Sequence, residues 1–272
     1  GLAEPACTGA ACGGAALDAR VLVVDDHPGN LKLARVFLEE MGVDVVPCAG
    51  GEEALTAFSR GTFDLVFMDV QMPGMDGLET TRQMREREGE GRRTPIIALT
   101  AHALESERRS LLAAGMDDYL SKPITEGQLR HTLERWTRTD GVDGEPAVEA
   151  TPPAPETAST DQVVDEALGK QRAGGREHLA KDLFSMLLAS LEQDAPGINA
   201  LSESNNREAL LERVHKLHGA CRYCGTPRLE RAARELEEGL KTDVDDDHLE
   251  HLVATLLAEI ESVRQYGQAA RL

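Results

Sequence analysis

A set of side chains in the N-terminal half could act together on a phosphoryl group. Asp69 closes the apolar run Leu65–Met68 and opens a turn, Val70-Gln71-Met72-Pro73-Gly74-Met75-Asp76-Gly77. Asp25 and Asp26 follow Val21–Val24, Thr100 follows Ile96–Leu99, and Lys122 follows Tyr119-Leu120-Ser121. On spacing alone Asp69 could be a nucleophile, a metal ligand or a turn cap, and capping is the simplest of these. Capping explains one residue and leaves the others unaccounted for. Acids paired for a hard divalent cation, with a hydroxyl and an ammonium beside an aspartate, are what phosphoryl chemistry on a carboxylate requires.

That chemistry needs the side chains to converge. Short apolar runs bounded by turn residues read as strands buried on both faces, here Val21–Val24, Val43–Val46, Leu65–Met68, Ile96–Leu99 and Tyr119–Ser121. Helical segments separate them: Pro28 to about Met41, Glu52–Arg60, Leu78 to about Glu88, Ala103–Ala114 and Thr125 to about Thr137. This alternation implies an α/β doubly wound parallel sheet, whose ligands lie beyond the carboxyl ends of the strands.

The strings Val23-Val24-Asp25-Asp26, Phe67-Met68-Asp69 through Gly77, Ala98-Leu99-Thr100-Ala101 and Leu120-Ser121-Lys122-Pro123 resemble, in that order, a response-regulator receiver domain over residues 19–138. The resemblance implies a CheY-like sheet of five strands in the order 2-1-3-4-5. It implies that Asp69 accepts a phosphoryl group and that Asp26, Asp69 and the backbone carbonyl of Gln71 hold Mg²⁺. Asp25 would act through metal-bound water, and Thr100 and Lys122 would engage the phosphoryl oxygens. Tyr119 falls where the family carries its aromatic switch. Gln71 and His102 flank the site where the family tunes acyl-phosphate lifetime.

Composition sets the outer bounds. The 272 residues suffice for two ordinary domains, and a formal net charge of −19 argues against a nucleic-acid or anionic-membrane surface. Five cysteines, two of them in the Gly/Ala-rich leader 1–18, do not make a secreted disulfide framework and fit a reducing cytosol. No apolar run reaches membrane-spanning length and no signal segment opens the chain. The chain starts at Gly1 without a methionine, which reads as a fragment or processed form; sensor and inner-membrane parts of a full-length protein would lie upstream.

Residues 139–160, Pro-rich and carrying only negative charge, read as an extended tether. Beyond them, over 161–272, every long segment reads helical: 161–172, 177–193, 207–224, 227–241 and 248–266, with Gly174-Gly175, Pro196-Gly197, Gly225 and Asp245–Asp247 as breakers or caps. This is an all-α bundle.

Its chemical candidate is His215. The apolar stripe Leu210, Val214, Leu217, Cys221, Cys224 lies on one helix face, and His215 falls well away from it, toward water. Gly219, one turn later, leaves room for a partner despite costing about 1 kcal/mol in a helix. Arg213, Lys216 and Arg222 would stabilise phosphoryl charge around it. His218, nearer the stripe, reads as structural, and Cys221 and Cys224 as packing. Glu237-Glu238 and Asp245–Asp247 read as solvated faces or caps, and Trp136 as a packing residue.

The run Val214–Cys224 resembles a histidine-phosphotransfer (HPt) domain, which carries the phosphohistidine role onto His215. With a receiver upstream, the string His215–Pro227 resembles the end of BarA/GacS-type hybrid sensor kinases. That resemblance implies a histidine kinase domain as phosphoryl donor, in the same full-length protein, and a separate response regulator as acceptor. No nucleotide-binding glycine motif is visible, so this stretch does not itself use ATP. Two other readings remain: a docking scaffold on these folds, and an aspartyl-nucleophile phosphatase, disfavoured because Gln71 stands where a second aspartate would act as general acid.

Overall fold

A computed structural model describes residues 19–88, 93–100, 105–137, 161–242 and 244–270. The expectations for the leader 1–18, for His102 and for the tether 139–160 lie outside the described residues.

The first body alternates strand and helix: β1 (Arg20–Val24), α1 (Pro28–Glu40), β2 (Asp44–Cys48), α2 (Gly51–Arg60), β3 (Leu65–Asp69), α3 (Gly77–Arg87), β4 (Ile96–Thr100), α4 (Glu105–Ala113), β5 (Asp118–Ser121) and α5 (Glu126–Thr137). All pairings are parallel and the order is β2-β1-β3-β4-β5. The inner strands β3 and β4 are buried at every residue, as continuous apolar runs in a parallel sheet require. Strand β2 runs further than the apolar pattern Val43–Val46 suggests, because it takes in Pro47. As an edge strand it can carry a residue with no N–H to donate.

The second body is helical: α6 (Glu166–Arg172), α7 (Glu177–Glu203), α8 (Arg207–Cys221), α9 (Pro227–Lys241) and α10 (Asp246–Ala269). Side-chain caps start several of them: Asp165 accepts from Leu168 N–H, Asn206 from Ala209 N–H and Asp245 from His248 N–H. The pair Pro196-Gly197 does not break α7, contrary to expectation. The Arg213 guanidinium lies on this stretch and donates to the Gln193 carbonyl at 3.3 Å and to Asp194 at 3.0 Å. A side chain at Gly197 would collide with that guanidinium at 2.6 Å. Ile198, fully buried just beyond, holds the far half of the helix on the core. Tertiary packing thus overrides the proline penalty. Helix α8 stops at Cys221, short of the expected Cys224, and Gly225 turns the chain at φ +62°, packed against the Asp165 carbonyl. No described helix is long and apolar enough to cross a membrane.

The two bodies share one hydrophobic core. Leu33 and Phe37 of α1 pack in the same cluster as Leu183 and Leu187 of α7 and Leu217 of α8. Lys32 pairs with Asp182 at 2.5 Å, and Arg176 bridges Glu40 and Glu126 while lying over the Phe37 ring at 5.0 Å. Tyr223, 2% exposed, accepts a hydrogen bond from the Ile124 N–H at 2.9 Å. Trp136 packs against this core, as expected.

The turn after Asp69 depends on Gly77, whose missing Cβ would meet the Asp69 carbonyl oxygen at 2.0 Å. Gly77→Ala should therefore cost at least about 2 kcal/mol in urea unfolding and reduce phosphorylation of Asp69 by acetyl phosphate. Gly127→Ala, where nothing lies within 4 Å, should be neutral or slightly stabilising.

Candidate functional site

Parallel pairing puts the carboxyl ends of β1, β3, β4 and β5 on one rim, so Asp25, Asp69, Thr100 and Lys122 converge there. The Lys122 ammonium donates to Asp25 Oδ2 at 2.8 Å and to Asp69 Oδ2 at 2.7 Å. Asp25, 1% exposed, also accepts from the His27 N–H and from the Asn30 amide. Asp69 Oδ1 accepts from the Gln71 N–H at 3.3 Å, and Asp76 caps α3 through the Glu79 N–H. Thr100 is buried; its carbonyl accepts from the Lys122 N–H at 2.7 Å. Tyr119 sits half-buried on the next strand, packed against the cluster that contains Met68.

Burial dominates the electrostatics. It pushes the Asp69 carboxyl up to about 7, with Asp25 adding to the rise and Lys122 opposing it. Asp26 is also raised by burial and by Asp25. Burial would lower Lys122, but Asp25 and Asp69 outweigh it and keep the ammonium protonated.

The oxygens fit a hard divalent cation. One ligand atom from each of Asp25, Asp26 and Asp69 can be chosen so that all lie within 4.8 Å of one another. Asp26 Oδ2 is buried without a hydrogen-bond partner, an arrangement that otherwise costs free energy.

On the bundle, α8 presents His215 to α9. Glu237 Oε1 accepts from His215 Nδ1 at 2.8 Å and from Lys241 Nζ at 2.6 Å, and its Oε2 accepts from His218 Nδ1 at 2.6 Å. Burial alone would raise the Glu237 carboxyl. Hydrogen bonds from His215, His218 and Lys241 outweigh it and hold the group well below the usual carboxylate range. An ionised carboxylate only accepts, so both histidines point a protonated Nδ1 at it. In neutral His215 the lone pair is then on Nε2.

Several expectations are corrected here. Glu237 is not a solvated face residue: it is 5% exposed and is the hub of the histidine pair. Nothing marked it in sequence except its spacing on the strongly amphipathic α9. His215 does not stand free in water, since its side chain is 29% exposed and held by Glu237. The cations expected around it are engaged elsewhere: Arg213 with Asp194, Lys216 with Asp26 and Glu212, and Arg222 with the Lys122 carbonyl. His218 is buried as a structural histidine, Cys221 and Cys224 are buried, and Gly219 faces open space, as expected. His27, which caps α1 through the Gly29 N–H and sits at the seam with the bundle, carried no recognisable signal.

Comparison with known proteins agrees with this geometry. Residues 21–134 match the response regulator receiver domain and residues 182–266 the Hpt domain. The chain thus belongs to the two-component signalling proteins, with a receiver domain followed by an Hpt domain, the parts of a phosphorelay.

Its relatives are hybrid sensor kinases. It is 46% identical over 247 residues to the sensor histidine kinase GacS of Pseudomonas protegens, covering 88% of this chain and 27% of that protein. It is 35% identical over 244 residues to the histidine-protein kinase BarA of Escherichia coli, covering 89% and 26%. The chain therefore spans about a quarter of the length of these relatives. The receiver domain of the sensor histidine kinase PA1611 from Pseudomonas aeruginosa, solved with a coordinated magnesium ion, aligns with a TM-score of 0.41 at 40% identity, covering 44% of this chain and 98% of that one.

The Glu237 hub has a measurable signature. Glu237→Gln should cost about 2–3 kcal/mol in urea unfolding at pH 7, since two histidines and Lys241 lose their ionic acceptor. The folded carboxyl titrates below its unfolded value of 4.5, so its contribution is complete above that pH and is lost as pH falls below it. The deficit of the variant should accordingly narrow in unfolding curves recorded at successively lower pH.

Proposed function

We propose that the chain carries the internal step of a phosphorelay: Asp69 accepts a phosphoryl group from a histidine kinase, and His215 takes it and passes it to a separate response regulator. The observation that carries this reading is the docking of the two bodies. Helix α8, which bears His215, lies against the rim that bears Asp69, and Lys216, the residue after His215, is 3.5 Å from Asp26.

In the loading step a carboxylate oxygen of Asp69 attacks phosphorus, and the bond from phosphorus to the donor histidine nitrogen breaks. In the internal step His215 Nε2 attacks the same phosphorus, a nitrogen–phosphorus bond forms, and the acyl-phosphate oxygen leaves as the Asp69 carboxylate. Lys122, already 2.7 Å from Asp69, moves with the phosphoryl charge. Thr100 supplies a hydroxyl to a phosphoryl oxygen, and Tyr119 follows as the switch residue. Glu237 keeps a proton on Nδ1 of His215, so that Nε2 is the attacking atom. Asp26, Asp69 and the Gln71 carbonyl, supported by Asp25, are the residues that would hold Mg²⁺. When bound it supplies neutralisation of phosphoryl charge.

The boundaries that go with this reading are a receiver over 19–138, a tether over 139–160 and a bundle over 161–272. The donor is a kinase domain of the same full-length protein, held at a membrane with this segment on the cytoplasmic side. Neither nucleic acid nor lipid contact is part of the reading.

The test is phosphoryl labelling of purified protein with acetyl phosphate and Mg²⁺. Acid-labile phosphohistidine should form in the wild type and be lost in both Asp69→Ala and His215→Ala, while acyl phosphate persists in His215→Ala. Phosphorylation of Asp69 with no phosphohistidine in any sample would leave the bundle as a docking domain only.

A further inference from the structure

Asp26 is the acid of the rim that the receiver leaves unserved. Asp25 accepts from His27, Asn30 and Lys122, and Asp69 accepts from Lys122 and Gln71. Asp26 has a 10% exposed side chain, and its buried Oδ2 takes no hydrogen bond. The cation nearest that oxygen comes from the other body: Lys216 Nζ of α8, at 3.5 Å. This is ion-pair distance, too long for a good hydrogen bond.

We infer that the Lys216 ammonium occupies the place of the divalent cation in the docked chain, so that Mg²⁺ binding and docking of the bundle on the receiver oppose each other. The inference rests on the reading of Asp25, Asp26 and Asp69 as the Mg²⁺ site. Three carboxylates face two ammonium groups, Lys122 and Lys216, leaving the cluster close to charge balance. A divalent cation added to both ammonium groups would overcompensate the acids. Lys122 is 11% exposed, doubly bonded and part of the receiver's own rim, whereas Lys216 is 41% exposed and has a second partner, Glu212 Oε1 at 3.4 Å on its own helix. Lys216 is thus the cation that can leave. Turning back to Glu212 keeps it paired and removes a contact that joins α8 to the rim.

Linkage makes the effect reciprocal: by whatever factor docking weakens Mg²⁺ binding, Mg²⁺ weakens docking. The consequence for the relay is an order of events. A cation held there during loading of Asp69 would loosen the bundle and leave the rim open to a kinase domain, and docking would be restored once the phosphoryl group adds negative charge to the site.

The experiment is calorimetric titration of the whole chain with Mg²⁺ at fixed ionic strength, on wild type and on Lys216→Met. Hydrogen exchange is read at the Ile124 amide, which donates to Tyr223 across the seam. Lys216→Met should bind Mg²⁺ about threefold more tightly or better, the scale of one partly exposed ion pair. Mg²⁺ should speed exchange of the Ile124 amide in wild type and have little effect on it in the variant. Equal or weaker Mg²⁺ affinity in Lys216→Met, with binding intact in both proteins, would overturn the inference and leave the Mg²⁺ site standing. No Mg²⁺ binding by either protein would overturn the site reading and the inference together.

Discussion

The receiver body depends on keeping mutually repelling carboxylates together in a place poor in water. Two unit charges about 4 Å apart at an effective dielectric near 20 repel by about 4 kcal/mol, and the rim gathers Asp25, Asp26 and Asp69 within 4.8 Å. Lys122 offsets this by bonding two of them, and it can do so only because β5 ends beside β4, which ends beside β3. The sheet order, the close approach at Gly77 and the capping of α3 by Asp76 all fix where the Asp69 carboxylate stands relative to that ammonium. Burial raises Asp69 and Asp26, so the rim is charged against its own environment, a condition typical of sites that take up a cation or an anionic group.

The bundle solves the opposite problem. Around Glu237 a single buried carboxylate serves His215, His218 and Lys241, and the donors hold its titration far below that of a free carboxyl. The hub fixes the ring of His215 through Nδ1 and leaves its other nitrogen free to react, whereas His218, buried, only completes the packing. Excess negative charge on the receiver rim meets Lys216 and Arg222 on the bundle, so the bodies are complementary where they touch.

Much of this was legible in the chain. Strand-terminal Asp25, Asp69, Thr100 and Lys122 are visible because a parallel sheet writes its strands as plain apolar runs, and whatever follows each run must lie on one rim. His215 lies off the apolar stripe of α8, as its spacing implies, but that spacing put it in water and did not reveal that Glu237 holds it. What the sequence hid was set by contacts between distant segments. Pro196-Gly197 reads as a break until Arg213 is laid upon it, and Pro47 reads as a strand end until β2 is known to be an edge. Glu237 looks like any acid beside another acid; only the pairing of α8 with α9 buries it between two histidines. Lys216 looks like a neighbour of His215 because it is adjacent in sequence, but a helix turns adjacent residues about 100° apart, and Lys216 reaches the receiver. Arg222, two turns further on, stands at the C-cap of α8 and reaches the Lys122 carbonyl instead.

The energetics of the seam suit a step that must be made and then undone. Among its ion pairs, Lys32–Asp182 is partly exposed, at 38% and 34%, and such a pair contributes about 0–1 kcal/mol, whereas Asp26 of the Lys216 pair is only 10% exposed. Apolar residues of both bodies, among them Leu33 and Phe37 with Leu183 and Leu187, complete the seam in one shared cluster. Both bodies belong to one chain, so docking is intramolecular and needs no large intrinsic affinity. A permanent interface would defeat the proposed relay. The flank of α8 that pairs with Asp26 belongs to the helix that carries His215, so on the proposed relay a second receiver approaching that flank would need the first to have withdrawn. Docking that rests on covalent linkage would, on that proposal, let the same face serve donor and acceptor in turn.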